Sequence, residues 1–155
     1  MRKLFPFFLV ILLFSCHRDT PVRIIYSSPV PIKVRGKIAL FPAEGIQHME
    51  KGLLRALQSH STGRGLSFLL HRDSSWSRAG FSRQQHIMAA LMQAMEKGYD
   101  FILIIWPLGR NAQEFTFEVS LQEVARRLEK KRAVIKVTPP SVEEKLASYI
   151  HREIL

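Results

Sequence analysis

Phe101-Ile102-Leu103-Ile104-Ile105-Trp106 is the run on which the fold depends. A strand with one wet face alternates apolar and polar residues. This one is apolar at every position, so both of its faces must be covered. That is the pattern of a central strand with helices on either side of its sheet.

The neighbouring sequence supplies those helices. Upstream, Ser82 and Gln85 have the spacing of a capping box, and Ile87, Leu91, Ala94 and Met95 follow at helical intervals. Lys97-Gly98 is the expected stop. Before this helix, residues 71–81 are polar, and residues 66–70 read as a second strand. Ser59 to Gly65 is a loop. Ile46, Met49, Leu53, Leu54 and Leu57 share one face of an earlier helix. Lys37-Ile38-Ala39-Leu40-Phe41, ended by Pro42 and Gly45, is a first core strand.

Downstream, residues 107–111 turn the chain. Phe115, Phe117, Val119 and Leu121 alternate with polar residues, so one face is buried. The stretch 121–131 is ambiguous. Either the strand runs to about Ala125 and turns over residues 126–131 into a hairpin, or a short helix intervenes. Ala133, Ile135 and Val137 alternate as a strand, and the hairpin is the reading adopted. Pro139-Pro140 breaks the chain. Ser141 and Glu144 suggest another capping box, and Val142, Leu146, Ile150 and Ile154 mark a last helix. The expected order is β-α-β-α-β-β-β-α. It describes an α/β fold, a single three-helix domain on a mixed sheet of about five strands, spanning residues 37–155.

The amino-terminal third reads differently. Arg2 and Lys3 precede an apolar run over residues 4–14. A membrane-spanning helix needs roughly 20 apolar residues, so eleven suit the core of a signal peptide over residues 1–15. Cys16 is the only cysteine, and an exported protein with one cysteine cannot close an internal disulfide. Leu13-Phe14-Ser15-Cys16 resembles the bacterial lipobox, with an aliphatic residue three before the cysteine and a small one just before it. Phe14 departs from that pattern, in which the place holds a smaller residue. The resemblance implies a lipid thioether on Cys16, cleavage before it and fatty acylation, as with palmitate, of the new amino terminus. More than one acyl chain gives stable anchoring. Pro21, Pro29 and Pro31 then favour extended chain. Residues 16–36 are therefore expected to be a lipidated cysteine and a tether, with Ile24-Ile25-Tyr26 able to pair briefly at a sheet edge.

Net charge is +10, or +8 without Arg2 and Lys3. A basic exported domain points to anionic lipid or polysaccharide rather than nucleic acid; the other reading is a solvated basic surface. The element order, the strand ending in Phe41-Pro42, the turn Gly98-Tyr99-Asp100 and the closing helix resemble the TolB amino-terminal, CsgG and LpoB-like envelope domains. That resemblance covers roughly residues 37–155 and rests on hydrophobic pattern. It implies no catalytic residues and no cofactor. It also implies a lipid-anchored protein of the bacterial envelope, at the outer membrane facing the periplasm, acting as a scaffold, adaptor or activator on another envelope protein. The competing reading is a lipid- or lipopolysaccharide-handling lipoprotein similar to LptE, which would need an apolar groove.

The residues themselves offer little chemistry. His71-Arg72-Asp73 matches a kinase triplet only in letters, without the Asn, Asp-Phe-Gly or glycine-rich loop that phosphoryl transfer needs. Gly63-Arg64-Gly65 follows no strand. The histidines are scattered and have no cysteine partner, which argues against zinc. Ser74 or Ser75 beside His71 and Asp73 lacks a nucleophile elbow. One stretch has the composition of a recognition surface: Arg64, Arg72, Trp76, Arg78 and Arg83, in or beside two loops. Tryptophan and arginine are common interface anchors. The plainer reading has Trp76 closing the end of the core.

Overall fold

The structure, a computed structural model, describes residues 20–31 and 33–155. The expected signal peptide and the lipidation site Cys16 lie outside the described residues. In chain order the elements are β1 (Val22–Ser27), β2 (Gly36–Pro42), α1 (Glu50–His60), β3 (Leu66–Leu70), α2 (Arg83–Lys97), β4 (Phe101–Arg110), β5 (Phe115–Glu123), β6 (Leu128–Val137) and α3 (Val142–Glu153). One-turn 3-10 helices precede α1 at Gln47–Met49 and α2 at Ser74–Ser77.

The six strands form one mixed sheet in the order β1-β6-β5-β4-β2-β3. β4 is central and pairs parallel with β2 and antiparallel with β5. Its residues Ile102 to Ile105 are all fully buried. Phe101, Leu103 and Ile105 face a core with α1 and α3. Ile102 and Ile104 face a second, smaller core with α2. The apolar run is thus apolar because each face has its own helix layer. Burying one such side chain stabilises by about 1.5–3 kcal/mol.

The sheet has six strands rather than about five. The addition is β1, which pairs antiparallel with β6 and carries a bulge between Ile24 and Tyr26. Pro21, Pro29 and Pro31 bracket a proline-free segment, and only that segment has the N–H groups a ladder needs. Part of the expected tether is therefore an edge strand.

Asp100 explains the Gly-Tyr-Asp turn. Gly98 closes α2 in the left-handed conformation, and its N–H donates to the Met95 carbonyl. The Asp100 carboxylate then accepts from the Lys37 N–H at 2.8 Å. It sits so close to Gly36 that a Cβ there would lie 2.3 Å from Oδ2, and Gly36 also has φ +98°. The start of β2 and the start of β4 are thus latched together through a position that only glycine fits.

The 121–131 stretch is a hairpin. β5 ends at Glu123, residues 124–127 turn, and β6 begins at Leu128, with Arg127 at φ 52°. The two expected caps differ. Ser82 and Gln85 form the full reciprocal box. Ser141 does not cap α3: its backbone is left-handed, with φ 60° and ψ 48°, and its side chain accepts no helix N–H. A cap residue needs extended backbone to aim its oxygen at the first turn. Glu144 lies instead 3.7 Å from His60 on α1.

Candidate functional site

The sheet ends in two edges of different character. β1 is blunted by its bulge, by Arg23 and by Pro21 just before it, which are ordinary devices against unwanted pairing. β3, Leu66-Ser67-Phe68-Leu69-Leu70, has none of them. It carries no charge and no proline, and its register against β2 runs without a shift.

The ladder tells which of its backbone groups are free. The Gly36 N–H donates to the Gly65 carbonyl and the His71 N–H to the Leu40 carbonyl. Alternate residues of a parallel edge strand face the neighbour, so Leu66, Phe68 and Leu70 point their N–H and C=O groups outward. Among the described residues, one hydrogen bond reaches these groups: Gln58 Nε2 on α1 donates to the Phe68 carbonyl at 3.1 Å.

This edge lies in a groove of about 510 Å³. One wall is α1, through Glu50, Lys51, Leu54 and Gln58. The other is the loop and short helix at His71, Arg72, Ser74, Trp76 and Ser77. The floor is the backbone of residues 68–70, at the carboxyl ends of the parallel strands. Lys51 and Arg72 are exposed at the rim, and Arg55 follows one turn after Lys51. Among the described residues, none of these three cations enters an ion pair.

The far wall is held rigidly. His71 stacks on Phe41, with ring centroids 4.2 Å apart and planes within 9°. Its Nε2 donates to Gln93 Oε1 on α2 at 2.7 Å. Gln93 Nε2 in turn donates to Ser75 Oγ at 2.6 Å. Asp73 Oδ1 accepts from the Ser75 N–H at 2.9 Å. The hydrogen bonds from Ser75, its backbone first and its hydroxyl second, hold the Asp73 carboxyl below the usual range. His71 and Ser75 are thus separated by the Gln93 amide. These contacts position the loop after β3 against α2.

Of the five residues of the expected recognition surface, Arg72 and Trp76 line the groove. Arg72 is exposed at the groove rim, and Arg78 is exposed beyond it. Arg64 is exposed in the loop after α1. Trp76 is 1% exposed, packed edge-on against Phe41 in the smaller core. It is a lid on that core, with one side toward the groove. Arg83 opens α2 and turns inward to Glu118, donating from Nη1 to Oε2 at 2.8 Å, and its guanidinium lies 4.4 Å above the Trp106 ring.

That inward network is a second surprise. Glu118, Ser120 and Gln122 were expected to face solvent, yet all are buried. Ser120 Oγ donates to Glu129 Oε1, Gln122 Nε2 donates to Ser120 Oγ, and Arg132 reaches both Glu118 and Glu129. Two carboxylates and two guanidiniums balance within it. Alternation alone does not reveal such a layer, because its cover comes from long side chains of β6 and α2.

Among the described residues, no helix is long and apolar enough to cross a membrane. Nor does any cluster of three or more His, Cys, Asp or Glu there have the placing of a metal site.

No protein-family model matches the chain, and no curated protein matches it in sequence. Solved structures are similar in fold at low identity. The PelC dodecamer from Paraburkholderia phytofirmans is 11% identical, with 82% of this chain and 88% of that chain covered and a TM-score of 0.49. TolB from Acinetobacter baumannii is 15% identical over 86% of this chain and 31% of its own, with a TM-score of 0.46. The LpoB C-terminal domain from Salmonella enterica is 12% identical over 73% of this chain and 88% of its own, at 0.45. TolB and LpoB are among the envelope domains that the hydrophobic pattern resembles. The likeness is one of fold.

Proposed function

We propose that this chain is a lipid-anchored protein of the bacterial envelope that works without catalysis, as an adaptor binding another envelope protein at the groove beside β3. The observation that carries this reading is the edge of β3: an unblunted strand whose outward backbone groups line an open groove. Edge strands of folded proteins are normally protected, and one left unprotected inside a walled groove has the form of a docking site. The separation of His71 from Ser75 by Gln93 supports a non-catalytic role. The Cys16 lipobox resemblance supports the anchor.

The test is recovery of the full-length chain from detergent-solubilised envelope, with labelled palmitate present during growth. Wild type is expected to carry label and to bring down one envelope protein in near-equal amount. Cys16→Ala should lose the label. Lys51→Glu with Arg72→Glu should keep the label and the melting temperature while partner recovery falls tenfold or more, equivalent to about 1.4 kcal/mol. A wild-type chain recovered alone, or equal recovery with the charge-reversed variant, would overturn the groove as the binding site.

A further inference from the structure

Resting on that reading, we infer that the partner binds as an extended, acidic segment that adds to the sheet as a seventh strand along β3. Three observations carry it. The outward groups of Leu66, Phe68 and Leu70 form a donor and acceptor row with a strand's repeat, and β-augmentation needs such a row. The groove takes in Phe68 and Leu70 of that row and has a wall on each side, α1 and the loop after β3, so it admits a chain of single-strand width. The rim is basic: Lys51 and Arg72 are exposed and unpaired among the described residues, Arg55 is exposed one turn after Lys51, and Glu50 is the one acid lining the groove. Charge complementarity selects acidic side chains to flank the added strand. In the free protein the Gln58 amide occupies the Phe68 carbonyl; the N–H of the incoming strand takes that place.

A second copy of this chain is the competing occupant. It would offer either β1, which carries Arg23 and no acid, or its own β3 with the same Lys51 and Arg72 rim, so either edge meets that rim with like charge.

The experiment places a photo-reactive benzoylphenylalanine at Ser74, in the groove, or at Met92, on the outer face of α2, in the full chain in intact cells. The adducted peptide is then sequenced. The Ser74 probe is expected to capture one segment rich in Asp and Glu, free of proline in its strand-length core. Leu70→Pro removes an outward N–H and leaves the β2 ladder intact; it should cut the adduct at least tenfold, while Leu70→Val keeps it. Lys51→Glu with Arg72→Glu is the check should Leu70→Pro fold poorly, and it should cut the adduct equally. Capture of a neutral or basic segment, or of a second copy, overturns the acidic-strand assignment. Capture from Met92 alone removes the strand-addition mode and the groove as the binding site, and leaves only the adaptor role standing. No adduct from either position overturns both.

Discussion

His151 packs into the contact between α3, α1 and β3 with one ring nitrogen used and the other unmet. Nε2 donates to the Leu57 carbonyl at 3.0 Å, and Nδ1 is buried without a hydrogen-bond partner among the described residues. Phe68 meets the ring edge-on, and the His60 ring centroid is 5.6 Å away. Burial first, with the positive charge of Arg64 and the neighbouring His60 adding to it, pulls its pKa below the usual 6.5, against the pull of the Leu57 carbonyl. Glu144, which faces His60 at 3.7 Å, is the nearby acid. The unfolded chain therefore takes up a proton near 6.5 that the folded chain refuses. Stability is present above that value and is lost as pH falls below it. The melting temperature should drop between about pH 7 and pH 5, and His151→Gln, which keeps a donor for Leu57, should flatten that fall. Identical slopes in the two proteins would remove His151 as the cause. None of this was legible in the sequence, where His151 is one of six scattered histidines. Its burial follows from its lying one position after Ile150 on a helix whose apolar stripe is broad. Arg83 escaped for the converse reason, while Trp76 closes the core as the plainer reading had it. Residue type suggested a surface anchor, but the packing of Phe41 and the charge of Glu118 decided where each side chain went.

At the scale of elements, the strongest signals were those with a single physical cause. An unbroken apolar run requires two covered faces, and β4 has them. A Ser-x-x-Gln spacing before an apolar stripe caps a helix when the serine backbone is extended, as at Ser82. The same spacing at Ser141 failed because the backbone there is left-handed, which a two-residue pattern does not encode. The contrast has a measurable consequence. Ser82→Ala should cost about 1 kcal/mol, the usual worth of a side-chain cap. Ser141→Ala should cost none of that capping energy. Chemical denaturation of the two variants gives the comparison, and equal losses would contradict the difference in cap geometry. β1 was harder to read because it is an edge strand, held by one neighbour only, within a proline-rich stretch. The outward row of Met88, Met92 and Met95 on α2 was legible only in part. Spacing placed Met95 on the buried face, while Ala90 and Ala94 provide the close approach that leaves all three methionines outside.

At the scale of the whole molecule, the doubly covered sheet leaves its functional possibilities at its margins. α1 and α3 close one face and α2 closes half of the other, with the Arg83–Glu118–Arg132 layer beside it. Gly52 lets α3 approach α1 closely, since a Cβ there would lie 3.3 Å from Glu143. Of the sheet's two edges, β3 is the unblunted one, and it lies between the basic side chains of Lys51 and Arg72. The most direct measurement is amide hydrogen exchange on the full-length protein, alone and with its recovered partner. In the free protein the Leu66 and Leu70 amides should exchange fast while Leu69 and His71, bonded to β2, exchange slowly. With the partner bound, Phe68 and Leu70 should slow by at least tenfold and the exposed turns of α2 should not change. A bound partner that leaves the Phe68 and Leu70 amides as fast as before would contradict the account.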